Sequence, residues 1–171
     1  MGLWVIQSLR RELKEAYSYP ELADLAREAE KTAPRDWCID LNLGRFFAPE
    51  SMIAEIEDEY LKTGKKVPQG PGELAFAVYT SLANCYKTAI IDLENITGKT
   101  YRTISIIGGG SRDAYLNSLT ARYTGKTVYA GPTEATAAGN ILLQMKAAQD
   151  PAVESGFSDL VESSFNIEEY R

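Results

Sequence analysis

The stretch TISIIGGGSRDAYLN, Thr103 to Asn117, constrains this chain more than any other. Thr103 to Ile107 is short, continuous and rich in β-branched side chains, the pattern of a strand buried on both faces. Three consecutive glycines follow, and Ser111 opens a helix running to Thr124 with Leu116, Leu119 and Tyr123 inward and Gly125 as its stop. Lys126 to Tyr129 reads as a second strand and Thr133 to Lys146 as a second helix. A strand, helix, strand, helix order places the two strands parallel in one sheet, joined by a right-handed crossover.

Upstream the pattern is helical. Leu3, Trp4, Ile6, Leu9 and Leu13 predict an amphipathic helix over residues 2 to 16, with no N-cap. Ser18-Tyr19-Pro20-Glu21 has capping-box spacing and a proline near N1, opening a helix with Leu22, Leu25 and Ala29 on one face. Asp36 to Leu43 alternates apolar and polar residues, as a short strand would. Pro49 opens a helix that buries Met52, Ile53, Ile56 and Tyr60 and stops at Gly64. The longest helix runs from Glu73 to about Glu94 with Leu74, Val78, Leu82, Tyr86, Ile90 and Leu93 along one stripe. About six helices stand against two or three strands, fewer than a sheet of this class usually holds. The chain is therefore expected to begin inside a larger fold, or to borrow strands from a partner.

With 171 residues, 44% of them hydrophobic, the chain has the length of one globular domain. Its 18 basic and 24 acidic side chains give a net charge of −6, and the longest basic cluster is Lys65-Lys66, which argues against nucleic-acid binding. There is no histidine, so the commonest general base and metal ligand is absent. Cys38 and Cys85 read as free, partly buried thiols of a reducing compartment. The N-terminal stretch fits neither a signal peptide nor a myristoylation site, and no apolar run approaches the roughly 20 residues that cross a bilayer. The expected address is cytoplasmic, which makes the acceptor pattern Asn95-Ile96-Thr97 a coincidence.

A glycine cluster between a strand and a helix offers backbone N–H groups to a phosphate or to the edge of a nucleotide. The dinucleotide-binding fingerprint wants a third glycine where Asp113 stands, and a carboxylate there would repel a pyrophosphate. Gly98-Lys99-Thr100 and Gly125-Lys126-Thr127 imitate the end of a phosphate loop, but Leu93 and Thr120 replace its first glycine and both runs lead into strands. In AGPTEATAAGN, Ala130 to Asn140, Thr133 is the expected N-cap, and the alanines permit close packing on the sheet or the glycine loop. Glu134, in the first turn, is favourable there without any function.

The run ISIIGGGSRDAYLNSLTARYTGKTVYAGPTEATAAGNILLQ resembles the C-terminal signature of the FGGY carbohydrate kinases. MGLWVIQ, RFFAPESM (with Ala48 where the family has Asn) and DLVESSFNIEEYR extend the resemblance over essentially the whole chain. It implies an α/β, actin-like ATPase lobe of ribonuclease-H type, helix-rich, with an incomplete mixed sheet lacking its N-terminal strands. It also implies transfer of the γ-phosphoryl of ATP, with Mg2+, to a ketose hydroxyl, L-rhamnulose foremost. Gly108, Gly109 and Gly110 then lie against the nucleotide, Gly109 above all, and Gln7 contacts it from the first helix. Asp113 departs from a family asparagine that touches the base. The phosphate loops, the catalytic Asp and most sugar-binding residues belong N-terminal to this chain. It is thus expected to hold no catalytic residue or metal ligand, to be inactive alone, and to pair with an N-terminal lobe or self-associate through an uncovered sheet edge.

Overall fold

The computed structural model describes residues 2–17, 22–153 and 156–171, so the capping box at Ser18 to Glu21 lies outside the described residues. The chain divides into two compact units, Met1–Lys99 and Thr100–Arg171.

The first unit contains α1 (Trp4–Tyr17), α2 (Leu22–Lys31), α3 (Met52–Thr63) and α4 (Gly70–Thr97). Most of the expected faces are buried: Ile6, Leu9 and Leu13 of α1, Leu25 and Ala29 of α2, and Met52, Ile56 and Tyr60 of α3 fully so, whereas Leu3, Trp4 and Ile53 are half-buried and the Leu22 side chain lies outside the described residues. Pro49 precedes the start of α3, whose cap is Ser51, its side chain accepting from the Ala54 N–H. Glu12 of α1 reinforces that end, accepting from the Ser51 hydroxyl at 2.7 Å and the Met52 and Ile53 N–H groups at 2.6 and 3.2 Å. One carboxylate thereby satisfies two orphan donors of another helix and complements its dipole. At its far end α3 stops at Gly64 in the left-handed conformation, as expected.

Helix α4 starts earlier and ends later than its pattern predicts. From Leu74 to Ala83 every residue is buried, so this half is wrapped on all sides rather than along one stripe. The stripe then loses its cover, because Tyr86 and Ile90 are only half-buried and Leu93 is exposed.

Asp36 to Leu43 does not form a strand. Its alternation is real, with Trp37, Ile39 and Leu41 buried, but residues 33–40 are irregular, with no strand partner among the described residues and the Trp37 N–H turned back to the Arg35 carbonyl at 3.0 Å. Side chains bond this backbone instead. The Ile39 N–H donates to Ser81 Oγ at 3.0 Å, the Trp37 carbonyl accepts from the Tyr60 hydroxyl, and the Cys38 carbonyl accepts from Lys65 Nζ at 2.9 Å. Groups that a ladder would have paired are thus met from α3, α4 and the segment between them. Cys38 and Cys85 are both free, the first half-buried and the second buried.

The RFFAPESM segment lies beside α3. Phe46 and Met52 are fully buried, and the Arg45 guanidinium gathers Glu55 at 2.5 Å, Glu59 at 3.1 Å and Asp58. Hydrogen bonds to Asp58 and then Glu55 hold Arg45 above its ordinary range, while Lys62 and then Arg45 hold Asp58 below its own. This segment serves as an anchor within its unit.

The second unit is α/β. It runs β1 (Thr103–Ile106), α5 (Ala114–Thr124), β2 (Thr127–Ala130), α6 (Ala135–Ala147), α7 (Phe157–Ser164) and β3 (Glu168–Tyr170). The sheet order is β1-β2-β3; β1 and β2 are parallel from Thr103 opposite Thr127 to Ile106 opposite Ala130, as the sequence predicts. β3 pairs antiparallel with β2, making a small mixed sheet. Neither α7 nor β3 is anticipated by the sequence.

Contrary to its apolar run, β1 is not buried on both faces: Thr103 and Ser105 are exposed and Ile104 and Ile106 half-buried. Among the described residues nothing pairs with its outer side, so it is an edge strand. Thr127 N–H donates to the Arg102 carbonyl and Gly131 N–H to the Ile106 carbonyl, so even-numbered residues face β2 and Thr103 and Ser105 point their N–H groups outward. Gly98 and Gly125 are left-handed helix stops, which disposes of both phosphate-loop look-alikes.

Candidate functional site

The glycine loop sits at the carboxyl end of β1. Gly108 to Arg112 form a 3-10 turn, and α5 begins only at Ala114. Ser111 therefore does not open the helix. Asp113 does, its carboxylate accepting the Leu116 N–H at 3.0 Å while 7% exposed. The residue that departs from the family pattern is thus the helix cap. A phosphate at the α5 terminus would have to displace that carboxylate, which leaves the flat edge of a ligand as the better visitor.

Gly108 is fixed by its backbone. Its φ is +73°, the left-handed region, and its N–H donates to the Pro132 carbonyl at 3.0 Å. Ser111 Oγ donates to the Gly108 carbonyl at 2.8 Å and lies 3.2 Å from Thr133 Oγ1. Thr133 is therefore tied to the glycine loop and is not the cap of α6; the cap position is Glu134, whose side chain makes no capping bond. Glu134 instead meets Arg112 at 3.8 Å with both side chains more than 70% exposed, a pair worth about 0–1 kcal/mol.

Gly109 differs from Gly108. Its φ is not left-handed, it is exposed, and a Cβ there would meet nothing within 4 Å. The described residues therefore place no demand for glycine at 109, whereas they do at 108. Gly110 is half-buried and its carbonyl accepts the Asp113 N–H at 3.2 Å.

Beneath the loop, Asn117 is fully buried and donates from Nδ2 to the Ser111 carbonyl at 3.0 Å. Its Oδ1 has no hydrogen-bond partner among the described residues. No local signal in the sequence marks Asn117, because its burial depends on tertiary packing. Gln7, the other expected contact, is an exposed residue early in α1 of the first unit, its N–H bonded to the Leu3 carbonyl.

Residues 1–148 match the family model described as the C-terminal domain of the FGGY family of carbohydrate kinases. The chain is similar to the rhamnulokinase of Bacillus subtilis, 46% identical over 98% of this chain and 34% of that protein. It is likewise similar to the rhamnulokinase of Ligilactobacillus salivarius, 44% identical over 99% of the chain and 34% of the relative. The rhamnulokinase of Lactiplantibacillus plantarum is 41% identical over the same shares. The chain thus spans about a third of the length of the curated relatives it matches. It belongs to the FGGY family of carbohydrate kinases.

Proposed function

We propose that this chain is the ATP-binding half of a rhamnulokinase-type sugar kinase, one lobe of an actin-like, ribonuclease-H-type ATPase. The whole reaction would move the γ-phosphoryl of ATP to a hydroxyl of L-rhamnulose in the cytoplasm. ATP with Mg2+ supplies the phosphoryl donor and the neutralisation of its charge, with the metal held by the N-terminal part. This chain's own residues bind and orient: Gly108, Gly109 and Gly110 form the wall on which the nucleotide lies, and Gln7 is a further nucleotide contact implied by the family resemblance.

The observation that carries the reading is Gly109, a glycine in open space at the end of a strand with no backbone reason to be one. Ligands of open α/β sheets lie outside the carboxyl ends of the strands. Calorimetry with MgADP tests it. Gly109→Val should fold normally and weaken binding at least about tenfold by occupying the ligand's space, a loss of about 1.4 kcal/mol. NAD binding with indifference to ADP would overturn it. The chain alone should not phosphorylate L-rhamnulose, and turnover should appear on mixing with the N-terminal two thirds of a rhamnulokinase.

A second reading, a non-catalytic module that pairs with an N-terminal kinase lobe or with itself, is favoured by the open side of β1. Ser105→Pro removes an outward N–H and should abolish such association in sedimentation runs; unchanged association would exclude this edge.

A further inference from the structure

We propose that the C-terminal segment Asn166–Tyr170 is a positioning element for the glycine loop, holding it through the Gly131–Pro132 turn and through Asn117. The segment lies beyond residue 148, past the span of the family model though within the match to the relatives, and nothing in the proposed chemistry requires it.

Two connected paths support it. β3 pairs with β2 from Val128 opposite Tyr170 to Ala130 opposite Glu168. One residue further, Gly131 has a φ of +129°, and a Cβ on it would stand 2.8 Å from the Asn166 carbonyl oxygen. The tail backbone thus lies directly against the turn. That turn is what grips the loop: the Gly131 N–H donates to the Ile106 carbonyl at 2.9 Å and the Pro132 carbonyl accepts the Gly108 N–H at 3.0 Å.

The second path runs under the loop. Asn117 carries the Ser111 carbonyl on its Nδ2 and has a buried Oδ1 with no partner among the described residues, and Ser111 in turn holds Gly108. β3, which ends at Tyr170, packs against α5, the helix that carries Asn117. The Tyr170 hydroxyl donates to Glu168 and is held above its ordinary range chiefly by burial, then by Glu168, with Asn117 drawing it the other way and Asp113 reinforcing the rise. A buried polar network of this kind has few alternative arrangements, so what anchors it also orders it.

Residue-resolved hydrogen exchange on the full chain tests this directly. Gly131→Ala forces its Cβ into the Asn166 carbonyl and should push the tail off; Tyr170→Phe removes only the hydroxyl and serves if Gly131→Ala does not fold. Amides of Gly108–Arg112 should exchange at least about tenfold faster, with those of α4 unchanged. Wild-type exchange at these amides in a folded Gly131→Ala protein, or if it does not fold in Tyr170→Phe, overturns the proposal. So does uniform acceleration across β1, β2 and α5, which is plain loss of stability. The meaning of the loop rests on the nucleotide reading, and MgADP calorimetry separates the two. A loosened loop in a protein whose wild type ignores MgADP leaves the positioning intact and ends the nucleotide reading, whereas unchanged loop exchange in variants of a protein that binds MgADP overturns the positioning and leaves the nucleotide reading standing.

Discussion

The two units of this chain bury their side chains on different terms. In the first, ten successive residues of α4 are buried, α1, α2 and α3 contribute fully buried side chains, and even an irregular segment has its backbone groups met by Ser81, Tyr60 and Lys65. In the second, β1 has an unpaired side, Asn117 keeps an open acceptor among the described residues, and α6 and α7 border an apolar cleft of about 230 Å³ lined by Ile141, Leu142, Met145, Leu160, Val161 and Phe165. Closure concentrates stability, while the more open unit holds the glycine loop. Binding loops are commonly drawn from the less protected parts of a fold for this reason.

The largest expected break in that contrast is Leu82→Ala. This side chain is fully buried in the wrapped half of α4, and its truncation should cost about 2–5 kcal/mol in denaturant unfolding. A cost below about 1 kcal/mol would mean the first unit is less tightly packed than its burial implies.

Next comes Tyr60→Phe, which takes away the donor to the Trp37 carbonyl and should cost about 1–3 kcal/mol. It also tests pH dependence. Burial raises the Tyr60 hydroxyl above its ordinary 10.0, so its contribution is complete below pH 10 and is lost as pH rises through the folded value. The wild type should lose stability more steeply than Tyr60→Phe above pH 10; parallel curves would remove Tyr60 as the cause.

In the second unit Asp113→Ala should cost about 1 kcal/mol by uncapping α5, whereas Asp113→Asn retains the cap and should be nearly neutral. Equal losses for both would show that charge, not capping, is what the site needs. The smallest effect is Ile107→Ala, within about 0.5 kcal/mol in thermal unfolding because that side chain is 59% exposed.

Local pattern carried the elements that depend on it. The faces of α1, α2 and α3, the β1-β2 parallel pair and the special backbone of the glycine loop were all legible, because period, turn residues and order determine them. Three features were not. The alternation over Trp37, Ile39 and Leu41 reports burial correctly, but pairing needs a neighbour that only tertiary structure supplies. In Ser111 and Asp113 two good capping residues stand close together, and the 3-10 turn decides between them. β3 is a short acidic strand with no periodicity, made a strand by the β2 edge it meets. For the site itself, the glycine run suggests a ligand loop, and a nucleotide as its ligand is the proposal that the family resemblance motivates.

The irregular segment 33–40 leaves main-chain groups that helices would have paired internally. An alternating stretch such as WCIDL can accept another strand where its main chain is unoccupied. Here the Trp37 carbonyl, the Ile39 N–H and the Cys38 carbonyl are each bonded to a side chain, so an incoming strand would find them taken. Occupying these three groups closes them to strand addition, where other proteins rely on charge or on a bulge.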